Sequence, residues 1–270
     1  MKKLLSVLLV ILSLNMAACA DNTSEQINSD IKQDISTSTE NIVVSLSSVE
    51  ESSGEIVNYD AGKNNYTKYT EYTALQASPR DLVKGNNDKV LVAYFSRSGN
   101  TAITDDIDAI SSASLLIREN GDTVGTCESI AEWIAEETGG DLFLIQTEYT
   151  YPVDYDQLVE VGEGQDIDGY HPSLCSHLEN IEQYDTVYLV YPIWHYTVSV
   201  PTCSFLDEYD LSGKTIYAFA ANEGSRFADS IERIAEAEPE ATVLEGISVN
   251  QRQLYDTEST VRNFVKEHMK

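Results

Sequence analysis

The chain has 270 residues, with 17 Lys and Arg against 45 Asp and Glu, a formal charge of −28. That imbalance excludes a nucleic-acid partner, because neutralising phosphates needs clustered Lys and Arg, and it excludes docking on anionic lipid headgroups through a basic patch. A hydrophobic content of 42 % is that of a folded domain and rules out an acidic disordered polymer.

The chain opens on Lys2 and Lys3, followed by an apolar run from Leu4 to Leu14. Eleven residues are too few to span a bilayer core of about 30 Å as a helix, and the run has the proportions of a secretory signal. It ends in Leu14-Asn15-Met16-Ala17-Ala18-Cys19, which resembles a bacterial lipobox with Met16 where Leu is usual. Residues 1–19 are therefore read as a signal peptide and Cys19 as the lipidated residue, with ordinary cleavage after Ala20 as the alternative. The expected location is outside the cytoplasm, with the membrane reached only through an N-terminal lipid anchor. Residues 20–86 read as a flexible polar linker, since scattered single aliphatics among Ser, Thr, Asn, Asp and Glu cannot offset the entropy of ordering. Cys127, Cys175 and Cys203 form no CxxC pair and do not cluster with histidine, so no zinc site is expected.

Regular patterning starts at Lys89, and residues 87–270 are read as one domain. Val90 to Phe95 is a continuous apolar run, as a parallel strand covered on both faces requires. Ile130, Trp133 and Ile134 share one helical face, and Gly139-Gly140 closes that helix. Further strands are expected at 141–145, 186–191, 214–221 and 241–249, with helices at 200–209, 225–237 and 257–267. Strands alternating with helices imply right-handed βαβ units around a five-stranded parallel sheet, a doubly wound three-layer α/β domain. Ligands of such sheets sit beyond the C-terminal strand ends, at the switch in strand order.

Three loops at those ends carry chemistry. Ser96-Arg97-Ser98-Gly99-Asn100-Thr101 leaves the first strand with hydroxyls alternating around a glycine, a pattern that can ring a phosphate with N–H and O–H donors. It is neither a Walker loop nor GxGxxG, and a plain polar strand-to-helix turn is the other reading. Pro192-Ile193-Trp194-His195-Tyr196 follows the third strand and can form a stacking platform for a planar ring, or simply cap the core. Asn222-Glu223-Gly224 follows the fourth, where Gly224 permits close approach of a ligand and Ser225 can cap the next helix.

Taken together the domain resembles the flavodoxin family. The resemblance rests on Ser96 to Thr101, Tyr151-Pro152, Asp154-Tyr155-Asp156, Tyr191-Pro192-Ile193-Trp194, Phe205 to Tyr209, Leu211 to Ile216 and Ala241 to Gly246. It implies strand order 2-1-3-4-5, bound FMN, and electron transfer with a redox partner protein or a small electron donor or acceptor. Three departures stand out. An insertion over about 102–124, opening with Asp105, Asp106 and Asp108 and continuing through Ser111 to Ser114, separates the hydroxyl loop from its helix. Gly125, Thr126 and Cys127 are therefore expected to complete the phosphate site, Cys127 standing in for a Ser or Thr at the helix start. Three glycines between Asp154 and Pro172 predict a shortened helix followed by a loop. His195 stands where a second aromatic is usual, packing there or offering a proton to the flavin. No catalytic side chain is assigned, since electron shuttling needs none. An NAD(P)H- or quinone-coupled flavin reductase, and a flavin-free binding or scaffolding lipoprotein, are the alternative functions.

Overall fold

The computed structural model describes residues 78–102, 115–117 and 123–269, with the main chain alone for 115–117 and 123–124. The signal peptide, Cys19, the linker up to residue 77 and the acidic and serine-rich parts of the insertion lie outside the described residues.

Five strands form the parallel sheet: β1 (Asn87–Phe95), β4 (Gly140–Ile145), β5 (Thr186–Trp194), β7 (Thr215–Asn222) and β8 (Thr242–Asn250). Their order is β4-β1-β5-β7-β8, so the chain steps outward from β1 to β4 and then crosses back to β5 on the other side. β2 (Leu115–Ile117) and β3 (Thr123–Gly125) pair antiparallel as a separate ribbon, and β6 (Thr197–Val198) folds back on β5. The helices are α1 (Thr126–Thr138), α2 (Tyr155–Asp168), α3 (Val200–Glu208), α4 (Ser230–Ala237) and α5 (Leu254–His268). The expected doubly wound topology is thus the one observed.

Alternation within β1 explains the three layers. Leu91, Ala93 and Phe95 point to one face, where they meet Leu158 and Val161 of α2, Phe205 and Leu206 of α3 and Ile234 of α4. Val92 and Tyr94 point to the other, against Ile130, Trp133 and Ile134 of α1 and Leu254, Val261 and Val265 of α5. Burying both faces of the central strands removes the polar alternation a one-sided sheet would show. Gly139 ends α1 in the left-handed region at φ 66°, its N–H reaching Ala135 O, as a helix C-cap requires.

Two expectations need correction. The linker was taken to end at residue 86, yet residues 78–86 lie against the domain. Val83 exchanges main-chain hydrogen bonds with Leu142 at 3.0 and 2.8 Å, covering the exposed edge of β4. Lys84 Nζ and the Gly85 N–H both reach the buried Asp141 carboxylate at 2.8 Å. The second concerns α2, which runs through Gly162 and Gly164 for 14 residues instead of stopping short. Asp154 caps its start by accepting the Gln157 N–H, and Gly169 closes it at φ 60°. The helix packs by Gly162 against the His195 turn, where a Cβ would make ordinary contact, 3.4 Å from His195 Nε2 and 3.5 Å from Trp194 Cε3.

Candidate functional site

The loop after β1 is built from its side chains inward. Asn100 donates to Ser96 O and Ile145 O and accepts from the Thr147 N–H, pinning the loop to the end of β4. The Asn100 main chain accepts from Tyr151 N–H at 2.7 Å. Arg97 is fully buried and turned away from the loop's mouth, its Nη2 donating to Pro152 O and Val153 O just ahead of α2. Asn100 and Arg97 were both expected among the cofactor-binding residues, and the structure makes their side chains struts that hold one loop to the next. Ser96, Ser98, Gly99 and Thr101 remain as the cradle. The Ser98 N–H bends back to Ser96 Oγ at 3.1 Å, Gly99 takes φ 93°, and Thr101 Oγ1 is buried without a hydrogen-bond partner.

The start of α1 lies against this loop. Gly125 is the N-cap, so tightly seated that a Cβ there would fall 1.8 Å from Ser96 Oγ. Its N–H is taken by Glu128 Oε2 at 3.2 Å, and Thr126 Oγ1 donates to Gln251 Oε1 at 3.3 Å. Cys127 departs from expectation. Its side chain is buried in the core between α1 and the sheet, and burial pushes its thiol well above the ordinary range. Buried there, the thiol does not stand in for a Ser or Thr hydroxyl at the helix start.

The second half of the site lies at the ends of β5 and β7. Trp194 pairs with Thr197 across a two-residue turn, His195-Tyr196, in which both residues are left-handed at φ 49° and 64°. Two-residue hairpins demand this conformation, normally from Asn-Gly, and two large side chains adopt it here at a cost of about 1 kcal/mol or more each. The loop after β7 holds Arg226 at φ 58° and Ala228 at φ 45°, so the described non-glycine residues with positive φ all fall in these two loops. Asp229 N–H donates to Tyr196 O at 3.1 Å and Tyr191 OH meets Ser230 Oγ at 2.9 Å, tying the two loops together. Because α4 starts at Ser230, Ser225 is not its cap.

Between these loops and α2 opens a cleft of about 630 Å³, lined by Tyr155, Leu158, Val159, Ile193, Trp194, His195, Tyr196, Glu223, Gly224 and Ser225. The volume suits a ligand the size of a ring system. Trp194 is 8 % exposed, packed edge-on against Phe95 and Tyr151 at 5.3 and 5.4 Å, with its Nε1 buried and unpartnered. It walls the cleft, while Tyr196, 74 % exposed, offers a freer ring at its rim. Pro192 is buried in β5 and is not part of the lining. Asn222 is likewise buried, spending its side chain on Ser248 Oγ, Val249 O and the Gly224 N–H. Glu223 is on the lining and pairs with Arg252 at 2.9 Å. Sequence reasoning missed Tyr155, Leu158 and Val159, whose only signal was the Asp154 cap that aims the first turn of α2 at the cleft.

The flavodoxin family model matches residues 120–268, more than half of the chain. Among solved structures, a protein from Bacteroides uniformis assigned as a flavoprotein is 24 % identical, with TM-score 0.46, covering 66 % of this chain and 97 % of its own. One from Bacteroides eggerthii, assigned likewise, is 24 % identical with TM-score 0.45 over 64 % of this chain and 97 % of its own. A Lactobacillus acidophilus flavoprotein, solved in complex with FMN, is 20 % identical with TM-score 0.41 over 63 % and 98 %. No curated protein matches the sequence. With helices on both faces of its parallel sheet and more than half its length matched, the chain belongs to the flavodoxin family.

Proposed function

We propose that the protein binds FMN and serves as an electron carrier outside the cytoplasm, held at the membrane by a lipid on Cys19. The observation that carries the reading is the alignment of the two half-sites. The hydroxyl loop leaves β1 and the aromatic hairpin leaves β5, adjacent strands that flank the switch in strand order. The residues fit the group: the Ser96–Thr101 cradle carries an unpartnered buried hydroxyl, and the cleft wall carries an unpartnered indole N–H. When bound, FMN supplies one- and two-electron chemistry.

The chain's own part is binding and tuning. Main-chain N–H groups of the loop, the Ser96 and Ser98 hydroxyls and the first turn of α1 would hold the phosphate. Trp194 and Tyr196 would bound the ring and keep water from it. Glu223, countered by Arg252, puts a carboxylate near the ring edge, and an acidic surround disfavours added negative charge there, which lowers the potential. The charge of −28 also suits steering of a basic redox partner, with a rate that falls as salt rises. FMN titration of the purified full chain tests the core of this. Saturable quenching of flavin fluorescence and a yellow protein are expected; a colourless protein that leaves FMN fluorescence unchanged refutes it. Mass spectrometry of the N-terminus tests the anchor: an acylated Cys19 supports it, and an unacylated chain starting at Asp21 removes it.

A further inference from the structure

Arg80 lies ahead of β1, in a segment with no regular secondary structure. Its segment is fastened to the domain on its own account. The Arg80 N–H donates to Gln146 Oε1 at 2.5 Å, and Val83 and Lys84 hold the next turn of chain to β4. The effect is to lay the Arg80 guanidinium across the hydroxyl loop. Its Nη2 is 3.3 Å from Ser98 Oγ, and a Cβ built on Gly99 would stand 3.4 Å from the same nitrogen. Its Nη1 is 2.8 Å from Glu128 Oε1.

Glu128 makes this placement meaningful. Its carboxylate sits in the first turn of α1 and accepts the Gly125 N–H, so it both occupies a donor and sets a negative charge beside the cradle. A phosphate brought there meets repulsion unless a cation offsets it. A guanidinium has five donors in a fork, enough to keep Glu128 and Ser98 and still reach a phosphate oxygen. The Ser96–Thr101 loop itself contains one cation, Arg97, whose Nη2 is spent on Pro152 O and Val153 O.

We infer that Arg80 is a phosphate ligand supplied from the segment ahead of β1, and that it sets the preference of this chain for a phosphorylated over an unphosphorylated flavin. This rests on the FMN reading above. The residue offsets Glu128 and sets its guanidinium against the Ser98–Gly99 turn.

The test is fluorescence titration of the flavin-free full chain with FMN and, separately, with riboflavin. Arg80 is partly exposed, with 45 % of its side chain accessible, so its contribution is that of a screened charged hydrogen bond. R80A is expected to weaken FMN roughly tenfold and to leave riboflavin within about twofold. R80K falls between, and the FMN affinity of R80A depends less on salt than that of the wild type. E128Q keeps the helix cap without the charge, so E128Q in the R80A background regains part of the lost FMN affinity. Equal loss of both flavins in R80A, or no loss of either, overturns the inference, as does an R80A/E128Q variant no better than R80A. A wild-type chain that binds neither flavin overturns the FMN reading itself, and Arg80 falls with it.

Discussion

Asn100 offers the sharpest test of how the site is held. It is 1 % exposed, with its amide nitrogen 2.9 Å from Ser96 O and 3.0 Å from Ile145 O. Its oxygen accepts the Thr147 N–H at 3.0 Å. Asn100→Ala strands three buried main-chain groups, each costing about 1–3 kcal/mol when left unsatisfied. Water entering the vacated space recovers part of that, which leaves a net loss of about 4 kcal/mol. For a domain of this length the melting temperature then falls by about 8–16 °C. Asn100→Asp keeps the shape but turns an acceptor toward two carbonyl oxygens, so at neutral pH it is expected to be at least as damaging. Urea and thermal unfolding of the flavin-free protein measure both. An Asn100→Ala variant within about 1 kcal/mol of wild type refutes the strut. Lost FMN affinity at unchanged stability would return Asn100 to the role of a ligand.

Tyr196→Gly relieves a left-handed residue while giving up little packing, and is expected to raise unfolding stability by about 1 kcal/mol, read from urea melts. An unchanged or lower midpoint shows that the turn carries no strain. Among the described cysteines, alkylation of the native chain should map to the half-buried Cys175, sparing Cys127 and also Cys203, whose thiol burial pushes up to about 11. Peptide mass mapping that finds Cys127 labelled without denaturant contradicts its core placement. Burial alone would raise the Asp141 carboxyl, but donation from Lys84, Tyr184 and the Gly85 N–H outweighs it and holds the group below its usual range. A depressed folded value means that its stabilisation is present above the unfolded pKa of about 4 and is lost as pH falls through the folded one. Asp141→Asn should therefore cost about 1–2 kcal/mol at neutral pH, flatten the acid limb and speed proteolysis within residues 78–86. Wild-type cleavage rates there would show that the carboxylate does not fasten the segment.

The strands were legible because runs such as Val90–Phe95 and Thr186–Tyr191 are apolar without alternation, which a sheet covered on both faces demands. What misled was chemistry that looks the same whether spent inside or offered outward. Arg97, Asn100 and Asn222 have the side chains of ligands and the sequence positions of ligands, yet each satisfies buried main-chain groups. Which way a polar side chain turns depends on partners far along the chain, here Pro152, Ile145 and Val249, and local pattern does not encode them. Gly162 was read as a helix breaker because its partner surface, the His195 turn, is 33 residues away in sequence. Arg80 left no signal at all, being one cation in a polar stretch, and contacts distant in sequence, with Leu142, Asp141 and Gln146, bring it to the loop.

Gly125 belongs to two elements at once, closing the β2–β3 ladder opposite Leu115 and capping α1. The ribbon therefore ends at the place from which the helix must start. A slip of one residue between the two short strands would carry Val124 or Thr126 into the position where a Cβ falls 1.8 Å from Ser96 Oγ. An insertion or deletion within the three paired rungs should accordingly be forbidden, because the frame of the ladder fixes which residue meets Ser96.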